Sequence, residues 1–271
     1  MINSKLICTL IVILFIPLGT ANSSEKLKLP PTVVGKDFGF TEGPVWVSHK
    51  EMWLFTDIPN NKVYSLTADG SLDVWMEKSE YANGLNIDKE NNVWMAHHCR
   101  KVSYTTPSGK NKVVATSYND KKLNSPNDIA IKKDGTVWFT DNMYGITFKG
   151  FGCELAPEEQ PVRGVYQIKD GAVILKTGSI EIPNGIAFSN DNKFLYVANS
   201  ADGVVYRFDV VGDELLNKRP WVKIESGKRP HPTFGYIADG LQVDKHGNLY
   251  VSGGHEGFAI FSPDGKQLEL I

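Results

Sequence analysis

Five oxygen-bearing side chains recur at one position of a repeat that runs through this chain. Each is followed by Gly or Asp and then by a short hydrophobic run, and the five are Glu42, Asn83, Asn127, Asn184 and Asp239. They are spaced 41, 44, 57 and 55 residues apart. Carboxylate and amide oxygens are the ligands that hard divalent cations such as Ca²⁺ prefer. If the fold brings these positions together, the sequence predicts a cation site.

Short β-strands are the elements that must position these side chains. Hydrophobic residues alternate with a period of two after each polar residue, and a second run follows about ten residues later. These second runs are MWLFTD, NVWMAH, TVWFTD, FLYVAN and NLYVSG. Repeats of about 40–50 residues with several strands each are typical of β-propeller blades. Because a propeller relates its blades by rotation about a central channel, we expect the five side chains to converge on one axial site in an all-β fold.

A second polar column lies at the ends of the second strands. Its members are Asp57, His97, Asp141, Asn199 and Gly253. If the first strand of each blade runs down the channel and the second returns, both columns lie on one face. The connection at residues 142–163 leaves from that face, and its length predicts a lid or mouth loop.

Three residues near this exit are further candidates for substrate contacts. Asp141 and Tyr144 are placed to touch a substrate, although capping a turn is an equally good role for Asp141. His97 and His98 alternate along a strand, so only one of them can face the channel. An ordinary hydrogen-bonded rim histidine is the simpler interpretation of either, and His98 is kept as a substrate-binding candidate.

Composition and the N-terminus limit the class of protein. The formal charge of −2 over 271 residues gives no basic footprint for nucleic acid and no attraction to anionic lipid. An apolar run at residues 6–18 follows Lys5 and precedes small residues ending at Ala21, which predicts a cleaved export signal at residues 1–21 and a periplasmic or secreted protein. The alternative is an uncleaved membrane anchor. Cys99 and Cys153 can pair in an oxidising compartment, and the sequence leaves this open.

The motifs FTEGPVW, LFTDIPNNKVY, YANGL, NSPNDIAIKKDGTVWFTD, PNGIAFS and ADGLQVDKHGNLYV together resemble the gluconolactonase family, which includes senescence marker protein and luciferin-regenerating enzyme. The resemblance runs in order from about Phe38 to Ile271. It implies a six-bladed propeller at residues 32–271 that carries a divalent metal and hydrolyses sugar lactones. Where bacterial members often carry Glu-His, this chain has His97-His98, which leaves the substrate preference open.

The resemblance also implies roles for individual residues. The family's metal ligands fall on Glu42, Asn184 and Asp239, and its substrate-side asparagine falls on Asn127. The ion is expected to be Ca²⁺, with Zn²⁺, Mg²⁺ or Mn²⁺ as alternatives. Asn83 shares the repeat position without a ligand role in the family, so we expect it to line the site.

These assignments predict a metal-dependent hydrolase that opens a sugar-acid lactone. The ion would polarise the lactone carbonyl as a Lewis acid, Asp239 would act as general base toward water, and Asn127 would orient substrate or water. No Gly-x-Ser-x-Gly motif supports a covalent serine mechanism. Two alternatives remain: a non-catalytic, metal-stabilised propeller that binds a ligand or a protein, and a hydrolase of another lactone or ester.

The number of blades is a separate expectation. Five complete repeat units account for residues 42–271, and the strand-like segment at residues 32–39 precedes them. Because the family pattern has six blades, we expect this segment to be the outer edge of an incomplete sixth blade. The competing possibility is a five-bladed ring that this segment closes.

Overall fold

A computed structural model describes residues 33–224, 238–253 and 257–270. These residues form five four-stranded antiparallel sheets, each meandering in chain order. Blade 1 contains Thr41–Val47, Met52–Asp57, Lys62–Thr67 and Leu72–Met76, and blade 2 contains Ala82–Ile87, Val93–His97, Lys101–Thr105 and Asn111–Ala115. Blade 3 contains Ser125–Ile131, Val137–Asn142, Gly164–Lys169 and Ala172–Thr177. Blade 4 contains Pro183–Phe188, Phe194–Asn199, Val204–Val211 and Glu214–Lys223, and blade 5 contains Leu241–Val243, Leu249–Ser252, Phe258–Phe261 and Gln267–Leu270.

Little regular structure lies outside the blades in the described residues. A two-stranded hairpin joins Ser117–Tyr118 to Lys121–Lys122, a 3₁₀ turn covers Ser48–Lys50, and a single helical turn covers Tyr144–Thr147. None of these helices is long and apolar enough to cross a membrane. The prediction of an all-β propeller arrangement is therefore confirmed, whereas the predicted export signal at residues 1–21 lies outside the described residues.

The apolar core lies between successive blades. Blades 1 and 2 enclose Leu54 and Met95, both without exposed surface, and three similar clusters lie between blades 2 and 3, 3 and 4, and 4 and 5. The alternation of each strand explains this layout, because alternate side chains point to the two faces of a sheet and each face packs on a neighbour. Burying one such Leu or Met side chain stabilises the fold by about 1.5–3 kcal/mol.

The prediction of six blades is wrong for the described chain, which has five. The repeated polar motif occurs five times, and each copy stands at the start of one of the five observed blades. Residues 33–39 form no strand of a further blade and make only isolated bridges at Val33 and Phe38. Phe38 instead packs on blade 1, with its ring centroid 5.4 Å from that of Phe55 and 5.1 Å from that of Tyr64.

A β-bulge marks the start of the first strand in blades 1 to 4. The strand register shifts between Glu42 and Val45 in blade 1, and the same shift occurs at Ala82/Leu85, Pro126/Ile129 and Pro183/Ile186. A bulge inserts an extra residue and turns a side chain away from the normal alternation, which is why bulges occur next to functional sites. Here three bulges contain a repeated polar residue, Asn83, Asn127 or Asn184, and the fourth directly follows Glu42.

Glycine follows most of these polar residues because neighbouring bulges touch. A Cβ added at Gly84 would lie 2.4 Å from Oδ1 of Asp128 in blade 3, and one at Gly185 would lie 2.3 Å from the carbonyl oxygen of Asp239. Only a residue without a side chain fits at such a distance. The glycine in the repeat is therefore a packing requirement as well as a turn signal.

Candidate functional site

The five repeated polar residues occupy equivalent positions at one end of the channel. Asn83, Asn127 and Asn184 are 5%, 3% and 6% exposed, whereas Glu42 and Asp239 keep partial access to solvent. Asn83, Asn127 and Asn184 lie inside the bulges, and Glu42 directly precedes the bulge of blade 1. In blade 5 the backbone N–H of Asp239 donates to the carbonyl oxygen of Ser252. Four of the five positions thus lie in or directly before a bulge, and the role of all five at a common site stays a prediction.

Threonine hydroxyls join the bulges of adjacent blades. The Thr56 hydroxyl lies 3.1 Å from the carbonyl oxygen of Glu42 and 3.0 Å from that of Asn83, and it can donate to either. The Thr140 hydroxyl accepts from the backbone N–H of Asp128 and donates to the carbonyl oxygen of Asn184. Thr56 and Thr140, each directly before a member of the second polar column, thus help to fix the spacing of neighbouring site residues.

Two members of the second polar column hold the backbone just before a site residue. The Asp57 carboxylate accepts hydrogen bonds from the N–H groups of Gly39 and Phe40, three and two residues before Glu42. Asp141 accepts in the same way from Asn124 and Ser125, at 2.8 and 2.6 Å.

Both carboxylate oxygens of Asp141 are therefore engaged by the protein itself, and burial raises its pKa to about 7. This geometry is that of the turn-capping alternative. Asp141 has no exposed surface, and its contact with a substrate stays a prediction.

Three carboxylates share the site. Burial raises the pKa of Glu42 well above its usual value, and the charges of Asp239 and Asp128 raise it further. Burial raises the pKa of Asp239 to about 6, against a lowering contribution from a hydrogen bond with the Asn184 side chain. No ion pair among the described residues involves any of the three carboxylates. The site thus concentrates negative charge that described basic side chains do not neutralise.

Asp128 is the member of this group that the sequence analysis did not single out. Its carboxylate accepts from the N–H of Ile129 at 2.8 Å and from the N–H of Ile186, in blade 4, at 3.1 Å. Burial raises its pKa to about 7, against those two hydrogen bonds. The signal was present in the repeat, because Asp128 is the one acidic residue where the other four copies carry glycine.

A hydrogen-bond network connects Asn184 to Tyr144. The Nδ2 atom of Asn184 donates to the buried Ser200 hydroxyl at 2.9 Å, and that hydroxyl donates to the carbonyl oxygen of Ala238 at 3.0 Å. Tyr144 also makes a side-chain hydrogen bond with Ser200, and burial together with the Asp239 charge raises its pKa to about 12. Tyr144 therefore lies at the site, and Ser200 is a further site residue that the sequence analysis missed.

His98 contacts the site through Asn83. Its Nε2 atom lies 2.9 Å from Nδ2 of Asn83, and its Nδ1 atom lies 2.8 Å from the carbonyl oxygen of Phe151. His97 points elsewhere, with its ring nitrogens 2.8 Å from the carbonyl oxygen of Ser79 and from the Ser103 hydroxyl. Burial lowers the pKa of both histidines to about 4, so both rings are neutral at pH 7.

Asn127 differs from the other two asparagines. Its side chain makes no hydrogen bond with any described residue, although only 3% of the residue is exposed. Buried amide groups normally have partners, so an amide without one at a channel end is available for a ligand. This is the setting expected for a residue that orients substrate.

The predicted lid covers this end of the channel. Residues 143–163 begin with the helical turn that carries Tyr144, and Phe151 reaches blade 1, where its ring lies 5.6 Å from that of Phe40. A disulfide joins Cys153 in this loop to Cys99, which follows the second strand of blade 2, with Cα atoms 5.2 Å apart. The pairing that the sequence left open is therefore present.

Glu42, Asn184 and Asp239 suit a divalent cation chemically. They offer two carboxylates and an amide oxygen. The Nδ2 atom of Asn184 donates to Ser200, so the Oδ1 atom is the one available to bind a metal ion. No three His, Cys, Asp or Glu side chains gather into a metal site of their own anywhere in the described ranges. A cation here would therefore need the Asn184 amide as its third protein ligand.

Comparison with known proteins shows which family the chain resembles. The family model described as SMP-30/Gluconolactonase/LRE-like region matches residues 40–271. Gluconolactonase of Zymomonas mobilis is 31% identical over 260 residues, which cover 89% of this chain and 72% of the relative. Human regucalcin is 26% identical over 246 residues, covering 85% of this chain and 74% of the relative.

Solved structures agree with these sequence matches. A gluconolactonase from Xanthomonas campestris superposes with a TM-score of 0.78 at 28% identity, covering 85% of this chain and 75% of that one. A regucalcin from Agrobacterium tumefaciens shares the fold with a TM-score of 0.67 at 18% identity, covering 86% and 74%. The chain belongs to the SMP-30/gluconolactonase/LRE-like family.

Proposed function

We propose that this protein is a metal-dependent hydrolase that opens a sugar-acid lactone. The observation that carries the proposal is the electrostatic contact of Glu42 with Asp239 and Asp128, together with the hydrogen bond between Asp239 and Asn184, in a group that no ion pair among the described residues neutralises. Relatives named gluconolactonase support lactone hydrolysis, and the calcium binding stated for the Agrobacterium regucalcin supports a divalent cation.

Glu42, Asn184 and Asp239 are the residues that would hold the ion, with Ca²⁺ as the expected species and Zn²⁺, Mg²⁺ or Mn²⁺ as alternatives. A bound divalent cation supplies Lewis-acid polarisation of the lactone carbonyl. The three ligands comprise two carboxylates and one neutral amide. Their negative charge would balance the charge of a divalent ion without exceeding it.

Asp239 is the proposed general base. Burial raises the pKa of Asp239 to about 6 in the metal-free protein, and the ionised carboxylate is the group that would accept a proton from the attacking water. The water oxygen bonds to the carbonyl carbon, the ring C–O bond breaks, and the proton held on Asp239 passes to the departing ring oxygen. Water is the only co-reactant, and the product is the open-chain hydroxy acid.

The remaining side chains suit a small, neutral, hydroxylated substrate. The free amide of Asn127, the phenol of Tyr144 and the Oδ1 atom of Asn83 offer hydrogen bonds without charge. Hydrogen bonds of this kind fix the orientation of a substrate relative to the base. We also propose export, on the strength of the predicted signal at residues 1–21 and of the Cys99–Cys153 disulfide, which suits an oxidising compartment.

Turnover of glucono-δ-lactone tests the proposal. The purified protein is assayed by proton release in a weakly buffered solution, first as prepared, then after a chelator, and then after adding back Ca²⁺, Zn²⁺, Mg²⁺ or Mn²⁺ one at a time. We expect hydrolysis above the spontaneous rate, loss with chelator and recovery with one ion. Hydrolysis that survives exhaustive chelation would contradict the metal requirement, and absence of turnover with every ion and with other lactones would contradict the enzymatic function.

A further inference from the structure

The environment of His98 determines which way the Asn83 amide points. A carbonyl oxygen can only accept, so the contact with Phe151 at 2.8 Å places the ring proton on Nδ1. In the neutral ring the Nε2 atom is then an acceptor, and its neighbour at 2.9 Å must be the donating Nδ2 atom of Asn83. The Oδ1 atom of Asn83 is left available on the channel side.

Blade 4 uses the same position for the same purpose. His98 and Ser200 each follow directly after the last residue of a second strand, and each contacts the Nδ2 atom of the asparagine in its own blade. Two different side chains, an imidazole and a hydroxyl, thus accept from the equivalent amide nitrogen in two blades. The recurrence indicates that orienting this amide is the shared task of the position.

The lid contacts both of these orienting residues. Phe151 accepts from His98, and Tyr144 bonds to Ser200. The disulfide at Cys99, the residue after His98, ties the lid to the same place. A Cβ at Gly145 would lie 2.4 Å from the Cβ of His98, so the lid is also packed directly against this histidine.

We propose that His98 is a positioning residue that holds the Asn83 amide with its oxygen toward the site, and that the lid sets this orientation through the Phe151 carbonyl. Both nitrogens of His98 are used within the protein, so His98 acts through Asn83 and not on the substrate directly. The effect on turnover rests on the lactonase function proposed above. The orientation itself does not depend on that function.

Two variants separate the two hydrogen bonds of His98. In His98→Gln the terminal amide oxygen can take the place of Nε2 and keep the contact with Asn83, while the contact with Phe151 is lost. In His98→Asn the terminal amide nitrogen can take the place of Nδ1 and keep the contact with Phe151, while the contact with Asn83 is lost. We expect kcat/KM for glucono-δ-lactone to fall about tenfold in His98→Asn, the size of one lost hydrogen bond, and less than about threefold in His98→Gln.

Repeating the His98→Asn substitution in a protein that lacks the Asn83 amide shows whether its effect acts through Asn83. In an Asn83→Ala protein the amide is absent, so adding His98→Asn should change kcat/KM no further. Equal losses in the two single variants, or an undiminished effect of His98→Asn in the Asn83→Ala background, would overturn the proposal. Thermal melts of each protein separate these effects from loss of the fold.

Neutron crystal structures of the two variants, which distinguish an amide oxygen from a deuterated amide nitrogen, provide a readout that needs no turnover. The Asn83 amide should be rotated in His98→Asn and keep its orientation in His98→Gln, and an unchanged amide in both would overturn the proposal. If the wild-type protein hydrolyses no lactone, the proposed function fails while this structural outcome still decides the role of His98.

Discussion

The Thr140 hydroxyl donates a 2.7 Å hydrogen bond to the carbonyl oxygen of Asn184 in the next blade. The same hydroxyl accepts from the N–H of Asp128 in its own blade, at 3.0 Å. One small side chain therefore joins the bulge that presents Asn127 to the bulge that presents Asn184. The relative position of a proposed substrate residue and a proposed metal ligand depends on this single oxygen atom.

Replacing that hydroxyl should cost stability. Thr140→Val keeps the shape of the side chain but removes the partner of a buried carbonyl and of a partly buried N–H, which we expect to lower the free energy of unfolding by about 1–3 kcal/mol. Urea denaturation followed by fluorescence measures it. Thr116→Val, at an exposed position, is the matched control and should change stability by less than about 0.5 kcal/mol. Equal effects at the two positions would contradict the proposed bridge.

The close approach of adjacent bulges predicts a contrast between two glycines. A Cβ at Gly84 meets Asp128 at 2.4 Å, whereas at Gly240, the equivalent place in blade 5, the only described atom within 4 Å is Oγ of Ser252 at 3.4 Å. Gly84→Ala should lower the melting temperature by several degrees, since overpacking typically costs about 1–3 kcal/mol. Gly240→Ala should change it little. A reversed order of the two melting temperatures would show that the bulges are not in contact as described.

The repeat made the axial residues predictable from sequence. Glu42, Asn83, Asn127, Asn184 and Asp239 could be found because a propeller converts a shared repeat position into a shared location. The number of blades was predicted wrongly, because the expectation of six came from the family resemblance, whereas the sequence contains five copies of the motif. The packing of Phe38 on Phe55 and Tyr64 depends on where the segment before blade 1 turns, and no periodicity records that.

Residues outside the repeat pattern were harder to assign. Asp128 follows Asn127, which the sequence already marked as a site residue. Its hydrogen bond with the N–H of Ile186 joins two blades and is visible only in the three-dimensional structure. The path of the lid decides whether Cys99 and Cys153 meet, because 54 residues separate them in the chain. Asp141 illustrates the opposite case, in which the sequence offered two roles and the three-dimensional hydrogen bonds favour the cap.

The proposed base gives the most direct prediction about activity. Asp239→Asn preserves the shape of the side chain but cannot accept the proton from water and contributes less charge to the ion, so kcat should fall by about 10²–10⁴-fold. Steady-state kinetics measures the loss, and a thermal melt checks that the protein is folded. Asp264→Asn, at an exposed turn, serves as the control and should retain wild-type turnover. Wild-type kcat in Asp239→Asn would exclude this residue as the base.

Metal binding should stabilise the protein more strongly at pH 8 than at pH 5. The pKa of Glu42 is well above its usual value and that of Asp239 is about 6, so protons occupy these ligands at pH 5 and compete with the ion. The gain in melting temperature on adding millimolar Ca²⁺, or the ion that restores activity, measures the effect by calorimetry. A gain at pH 5 as large as that at pH 8 would contradict the ligand assignment.

The metal-free protein should show the opposite trend for the same groups. A carboxyl whose pKa is raised by folding contributes stability below its ordinary pKa near 4, and that contribution is lost as the pH rises through about 6 to 7. His97 and His98, with pKa values lowered to about 4, contribute stability above 6.5 that is lost as the pH falls through 4. The histidines contribute equally with and without the ion. The difference in melting temperature between the ion-bound and the ion-free protein therefore reports the contribution of the carboxylates.

Breaking the disulfide should loosen the lid without unfolding the blades. Replacing Cys99 and Cys153 together by serine removes a cross-link across 54 residues, and we expect the free energy of unfolding to fall by about 2–4 kcal/mol. The lid retains its hydrogen bond from His98 and its packing on Phe40, so kcat/KM should fall by less than in His98→Asn. A reducing agent should lower the activity of the wild-type protein to the level of the double variant and leave the double variant unchanged. A wild-type protein whose activity and stability do not respond to verified reduction would show that the lid is held by its noncovalent contacts alone.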